Sequence, residues 1–240
     1  MEEGSVVVIG GSRGLGRELA KSYADRGATV VISSRDTDRA EIAAKEIGGR
    51  TSGIGLDLTR PEEIGGALAA VDDVHRLVLA AIDRDHNSVR EYKIDEGLRL
   101  VMLKLVGYTE VVHSLASRLR PDASILLFGG RAKDRIYPGS TTVTTINAAV
   151  MGMVRTLAME LAPIRVNAIH PGIVGDSPYW SEKPAAVLDG YRSQTTTERL
   201  PTMADIVEGA TFLLENPVAC GIDLNLDGGW YYHLGGPKPR

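Results

Sequence analysis

The sequence predicts an α/β fold built on one doubly wound sheet of about seven parallel strands, with helices on both faces. Three observations predict it. Short β-branched runs alternate with longer segments of helical period. The apolar runs lack the strict alternation of a half-exposed sheet, which suits strands covered on both sides. A glycine-rich turn separates the first strand from the first helix, where such sheets bring backbone close to an anion.

In chain order, "SVVVIG" reads as a strand and "GLGRELAKSYADRG" as a helix, followed by the strand "ATVVIS" and the helix "DRAEIAAKEIGG". The pattern continues through the strand "TSGIGLDL", a helix from Pro61 to Val71, the strand "VHRLVLAA", one long helix from about Ile94 to Leu119 and the strand "ASILLFGG". The second half gives a helix from about Ser140 to Leu161, the strand "IRVNAIH", a helix from Thr202 to Leu214 and the strand "IDLNL". Gly27 and Gly48 stand where helix C-caps are needed, while Thr59 with Glu62, and Thr202 with Asp205, have capping-box spacing. No repeat or linker divides residues 1–240, so a single domain is expected. The stretch 171–200 is long and polar enough to read as a substrate loop or lid, with Tyr179 and Trp180 as closing side chains or as pins to the surface.

With 43% hydrophobic residues and 24% charged ones, the chain can bury a core without disorder. A net charge of -4 argues against a nucleic-acid surface and leaves local basic residues to meet small anions. The single Cys220 forms no internal disulfide and reads as a packed thiol. No leader pattern and no apolar span of membrane length is evident, so a cytoplasmic protein without membrane partners is the expectation.

Glycines at 10, 11, 14 and 16 in "VVVIGGSRGLGRELA" allow a sharp turn and close approach of a pyrophosphate to a helix N-terminus. The end of the second strand then chooses between dinucleotides. An NAD site offers a carboxylate to the ribose, whereas "VVISSRD" offers Ser33, Ser34 and Arg35, and Arg13 adds a second guanidinium. Arginine presents a planar fork to a phosphate, so NADP(H) is the expected cofactor. Asp57, at the end of the third strand, faces the place where such folds seat adenine.

Through "GGSRGLG", "LDLT", "RVNAIHPGIV" and "LNLDGG", the chain resembles the short-chain dehydrogenase/reductase family over nearly all of its length. The resemblance implies a Rossmann-like oxidoreductase that moves a hydride between a nicotinamide and a carbonyl or alcohol, as a homotetramer or homodimer. It gives Gly10, Ser12, Arg13, Gly14, Leu15 and Gly16 to the pyrophosphate and ribose, and Asp57 and Leu58 to adenine. It also implies that Pro171, Gly172 and Ile173 line the nicotinamide. Ala80 falls in "LAAI", where the family has "NNAG", and the asparagine of the family's long helix falls on Met102.

The family's catalytic serine, tyrosine and lysine do not carry over. Laid on that pattern without a gap, "FGGRAKDRIYPGSTTVTTINAAV" places Gly130, Val143 and Asn147 at the three positions. In the family, a lysine cation lowers a tyrosine from its ordinary value of about 10 so that it can exchange a proton near neutrality. Valine donates no proton, and losing a positioned acid costs roughly 10²- to 10⁴-fold in rate. Asn147 can still bond the nicotinamide ribose. Three readings follow: a cofactor-binding protein with a dismantled proton relay, acting as a sensor or structural subunit; a reductase with a displaced donor; or substrate-assisted hydride transfer to an activated compound. For the second, the candidates are Tyr137, in a loop with Arg131, Lys133 and Arg135, and the segment Asp83, Asp85 and His86. His170 reads as a neighbour that sets the turn after its strand, and the aromatics of "DGGWYYHLGG" as an oligomer contact.

Overall fold

The computed structural model describes residues 4–230. Seven strands, Ser5–Ile9 (β1), Thr29–Ser34 (β2), Arg50–Gly55 (β3), Val74–Leu79 (β4), Leu119–Phe128 (β5), Arg165–Pro171 (β6) and Asp223–Leu226 (β7), form one sheet. Their spatial order is β3-β2-β1-β4-β5-β6-β7, and every pairing is parallel. The order reverses between β1 and β4, which opens a crevice at the carboxyl ends of those two strands. Because all strands run the same way, every loop leaving a carboxyl end meets the same edge.

The α-helices among the described residues are Gly14–Asp25 (α1), Thr37–Ile47 (α2), Pro61–Ala67 (α3), Ile94–Val101 (α4), Tyr108–Leu115 (α5), Thr141–Glu160 (α6), Ala185–Arg192 (α7) and Met203–Glu215 (α8). One core joins Val7, Leu77, Ile125 and Val166 of the sheet to α3, α5 and α6 through Ile64, Tyr108, Val111 and Val150. The other joins Val8, Val30, Leu126 and Ile169 to α1, α2 and α8 through Leu19, Ala43, Ile206 and Leu213. Successive strand residues thus feed opposite cores, which is why these strands read as continuous apolar runs.

The expected elements are present, and the caps can be compared one by one. Gly27 and Gly48 take positive φ after α1 and α2, and Thr202 with Asp205 forms a capping box on α8. Thr59 does not cap α3. Its hydroxyl and backbone N–H both donate to Asp57 Oδ1, at 2.8 and 2.9 Å, because the carboxylate two residues back is the nearer acceptor. Cys220 is exposed rather than packed, on the connection between α8 and β7. The long helix expected from Ile94 to Leu119 is broken by a π-helical segment at Met102–Gly107 and ends at Leu115, with Leu119 already in β5. The loop 171–200 contains a helix, α7, with no buried residue. Tyr231 and Tyr232, two of the three aromatics expected at an oligomer contact, lie outside the described residues.

Candidate active site

The glycine turn leaves β1 at the reversal of strand order. Gly10 has φ +87°, and a Cβ there would stand 2.6 Å from Ala81 backbone in the loop after β4. A Cβ on Gly16 would run into the Gly10 carbonyl, so the first turn of α1 can lie directly on the glycine turn only without a side chain. The Gly10 N–H donates to Ser33 Oγ (3.1 Å), which ties the turn to β2. Arg13 is the extended N-cap of α1, and neither it nor an acid in the first turn satisfies the helix's free N–H groups. The open helix end and the cradle that any Cβ would fill suit a pyrophosphate. Ser12 and Leu15 flank it half-buried, and beyond Gly14 (φ +57°) the nearest neighbour of a Cβ would be Pro178 of the 171–200 loop, at 3.9 Å. That loop therefore overhangs the turn.

Ser34 is half-buried at the end of β2, and the exposed Arg35 guanidinium lies 3.7 Å from Asp83 Oδ2. Asp83 also meets Arg99 of α4. Asp57 uses one carboxylate oxygen on Thr59, while Leu58 is buried with its carbonyl against Gly107. Ala80 donates its N–H to the Ile9 carbonyl (2.9 Å), holding the exit of β4 beside the glycine turn. At the exit of β6, Gly172 donates to the Leu226 carbonyl (2.8 Å), and a Cβ on it would come 2.7 Å from Asp227 Cα, so Pro171, Gly172 and Ile173 are fixed by β7.

Gly130 and Asn147 face one another. A Cβ on Gly130 would stand 3.2 Å from Asn147 Nδ2, while Asn147 is 8% exposed and its amide bonds no side chain among the described residues. Val143 lies one turn earlier on α6, half-buried. The Gly130 N–H donates to Nδ1 of the fully buried His170 (3.1 Å), which leaves the ring hydrogen on Nε2, against Asp223. Burial raises the Asp223 carboxyl, but its bonds to His170 and Lys133 and the Lys133 charge outweigh it and hold the group at about 2. His170 therefore sets the backbone at the β5 exit.

Tyr137 lies on the rim, 46% exposed. The cations of its own loop are engaged elsewhere: Arg131 with Asp227, Asn225 and Asp134, Lys133 with Asp223 and Asp134, and Arg135 with the Trp230 carbonyl and Gln194. Burial raises the Tyr137 hydroxyl above its ordinary value, and Asp85, Tyr179 and Tyr191 add to that against the opposing charge of Arg84. That direction makes it a weaker acid. Arg84 stacks on Tyr179 (3.6 Å to the ring centre), which begins an edge-to-face series running through Trp180 and Tyr191 to Trp230 at spacings of 5.1, 5.3 and 5.8 Å. Asp85 is buried without a hydrogen-bond partner among the described residues, while His86 is exposed. The long helix turns Lys104, two residues past Met102, and Tyr108 toward the strand exits.

The fold and this edge define an α/β dinucleotide-binding protein of the doubly wound type. Among the described residues no cluster of three or more His, Cys, Asp or Glu is placed to hold a metal, and no helix is long and apolar enough to cross a membrane. A family model described as enoyl-(acyl carrier protein) reductase matches residues 9–231, and the chain belongs to the short-chain dehydrogenase/reductase family, whose members bind a nicotinamide cofactor. The short-chain dehydrogenase/reductase ucsE of Acremonium sp is 29% identical over 252 residues, covering 95% of this chain and 96% of its own. Carbonyl reductase family member 4 of Danio rerio is 29% identical over 233 residues, covering 93% of this chain and 96% of its own. A solved short chain dehydrogenase/reductase family protein superimposes with a TM-score of 0.85 at 27% identity, covering 97% of this chain and all of the other.

Proposed function

We propose that this protein is an NADP(H)-binding, oxidoreductase-like member of its family in which Gly130, Val143 and Asn147 replace the serine, tyrosine and lysine of the usual proton relay. The contact of Gly130 with Asn147 carries the reading. The two positions come together at the exit of β5, where Gly130 has no side chain and the Asn147 amide exchanges no proton near neutrality.

When bound, the cofactor supplies or accepts a hydride. Gly10, Gly14, Gly16 and the open end of α1 hold its pyrophosphate, while Ser34, Arg13 and Arg35 receive the 2'-phosphate. Asp57 and the Leu58 backbone face adenine, and Pro171, Gly172, Ile173, Ala80 and Asn147 surround the nicotinamide half. Asp83 sits near enough to Arg35 to hold its guanidinium in place, while its carboxylate offsets part of the attraction for a phosphate.

The protein is expected to bind NADPH at least tenfold more tightly than NADH, about 1.4 kcal/mol, at one fixed ionic strength. Arg13→Ala with Arg35→Ala should erase the preference. Equal binding of the two cofactors by the native protein rejects the NADP(H) assignment. A second reading, a reductase with a displaced donor, draws on the position of Tyr137 on the rim beside Arg84 and Tyr179. Turnover of a carbonyl panel that falls at least 100-fold in Tyr137→Phe would establish it, in the range of a lost general acid. Turnover unaffected by the substitution removes Tyr137, and NADPH binding without turnover leaves a cofactor sensor or a structural subunit that pairs with an active relative.

A further inference from the structure

The π-helical segment Met102–Gly107 carries Lys104, which is 3% exposed. Single π turns inside helices occur often at functional sites, and a lysine so buried without an acid is costly to fold around. No carboxylate pairs with it among the described residues. Its Nζ instead donates to the Phe128 carbonyl (2.6 Å) and to the Tyr108 hydroxyl (3.3 Å), and that hydroxyl donates to the Ala81 carbonyl (2.7 Å). Phe128 ends β5 two residues before Gly130, and Ala81 is the residue against which Gly10 packs. One amine thus joins the two strand exits that border the dinucleotide site.

We propose that Lys104 is a positioning residue for that site: as a neutral amine it bridges the β5 exit to the β4 exit, and its protonation disturbs the bridge and weakens dinucleotide binding. The inference rests on the cofactor reading above. A neutral amine has two N–H groups, and two acceptors are present. The third N–H of an ammonium has no further acceptor among the described residues, so the charged form lacks both a partner and a counterion.

Burial accounts for the whole displacement of Lys104, down to about 7. The ionisable group in contact with it is Tyr108, which burial pushes above its ordinary range. Glu62 and Glu63 on α3, Asp95, Glu96 and Arg99 on α4, Glu110 and His113 on α5, and Arg155 and Glu160 on α6 are half or fully exposed, and none is a cause of the shift. At the β5 exit Phe128 contributes a carbonyl, and Arg131 and Lys133 beyond it are paired with Asp227, Asp223 and Asp134 and are not causes of the shift.

The test is a titration of the full chain with NADP⁺ and, separately, NAD⁺, followed by tryptophan fluorescence at about pH 6 and about pH 8.5. If only the amine form is competent, roughly one molecule in ten is competent at the lower pH, so affinity should fall about tenfold there. Lys104→Met should remove that change for NAD⁺, and for NADP⁺ should leave only the dependence due to the cofactor's own 2'-phosphate. Parallel pH profiles in the native and Lys104→Met proteins overturn the proposal. Absence of binding at both pH values in the native protein instead removes the cofactor reading, and the proposal with it. As a check independent of the variant, NMR of the Lys104 side chain should show titration near neutrality, and a midpoint above about 10 also overturns it.

Discussion

Arg131→Met is expected to cost about 3–5 kcal/mol of folding stability, the range for removing one partner of a buried ion pair. Arg131 leaves β5 just beyond Gly130, and its side chain is 3% exposed. Its Nε donates to Asp227 Oδ2 (2.7 Å), and its Nη1 donates to Asp134 Oδ2 and Asn225 Oδ1 (both 2.6 Å). Methionine fills much of the same space but leaves Asp227, itself 8% exposed as a side chain, with the Gly229 N–H as its remaining hydrogen-bond donor among the described residues. Most of the loss comes from that stranded carboxylate rather than from the vanished attraction. Asp227→Asn added to Arg131→Met should therefore restore part of the stability, because a neutral amide is cheaper to bury. Denaturant midpoints measure both effects. An unchanged midpoint in the single variant, or a further loss in the double one, contradicts the account.

The same residues show what the sequence could and could not convey. The parallel order, the glycine turn and the alternation of elements were legible because each depends on near neighbours: β-branched runs, helical period, and positions such as Gly10 and Gly16 that tolerate no Cβ. Arg131 and Lys133 were legible only as charges near Tyr137. Beyond the adjacent Asp134, which both of them meet, their acids Asp227 and Asp223 stand 96 and 90 residues away, beyond and on β7, so the local pattern carried only part of the engagement. The π-helical segment was hidden for a related reason. Hydrophobic period cannot register one extra residue per turn, and the segment is held by tertiary contacts, with Gly107 against the Leu58 carbonyl and Lys104 on the Phe128 carbonyl. The helix α7 was missed because it buries no residue and has no stripe to betray it. Gly130 and Asn147 were the opposite case. The ungapped reading lays them on two positions of the family's catalytic pattern, and the fold brings Gly130, just after β5, against Asn147 of α6.

Lys104→Met should make the protein more stable, by about 2–3 kcal/mol near pH 6, and the gain should disappear as pH rises. The folded state holds this amine at about 7, against 10.5 for a free lysine. The unfolded chain therefore binds the proton more tightly, and stability of the native protein should climb between about pH 7 and about pH 10.5. Below that window both states are protonated and the full penalty applies, about 5 kcal/mol by the linkage relation. Methionine escapes that penalty but leaves the Phe128 carbonyl and the Tyr108 hydroxyl without their donor, which returns roughly 2–3 kcal/mol. For a chain of this length the net gain corresponds to a melting point higher by about 5–10 °C. Denaturation of both proteins from about pH 6 to about pH 10 should show curves that cross at about pH 8.5–9, with the variant the less stable of the two above that; a variant less stable at every pH would mean that the amine is a structural bond and not a strained one. A side chain that can be replaced by a more stabilising one at neutral pH is kept for another reason, and its bonds at the two strand exits beside Gly10 and Gly130 say where that reason lies.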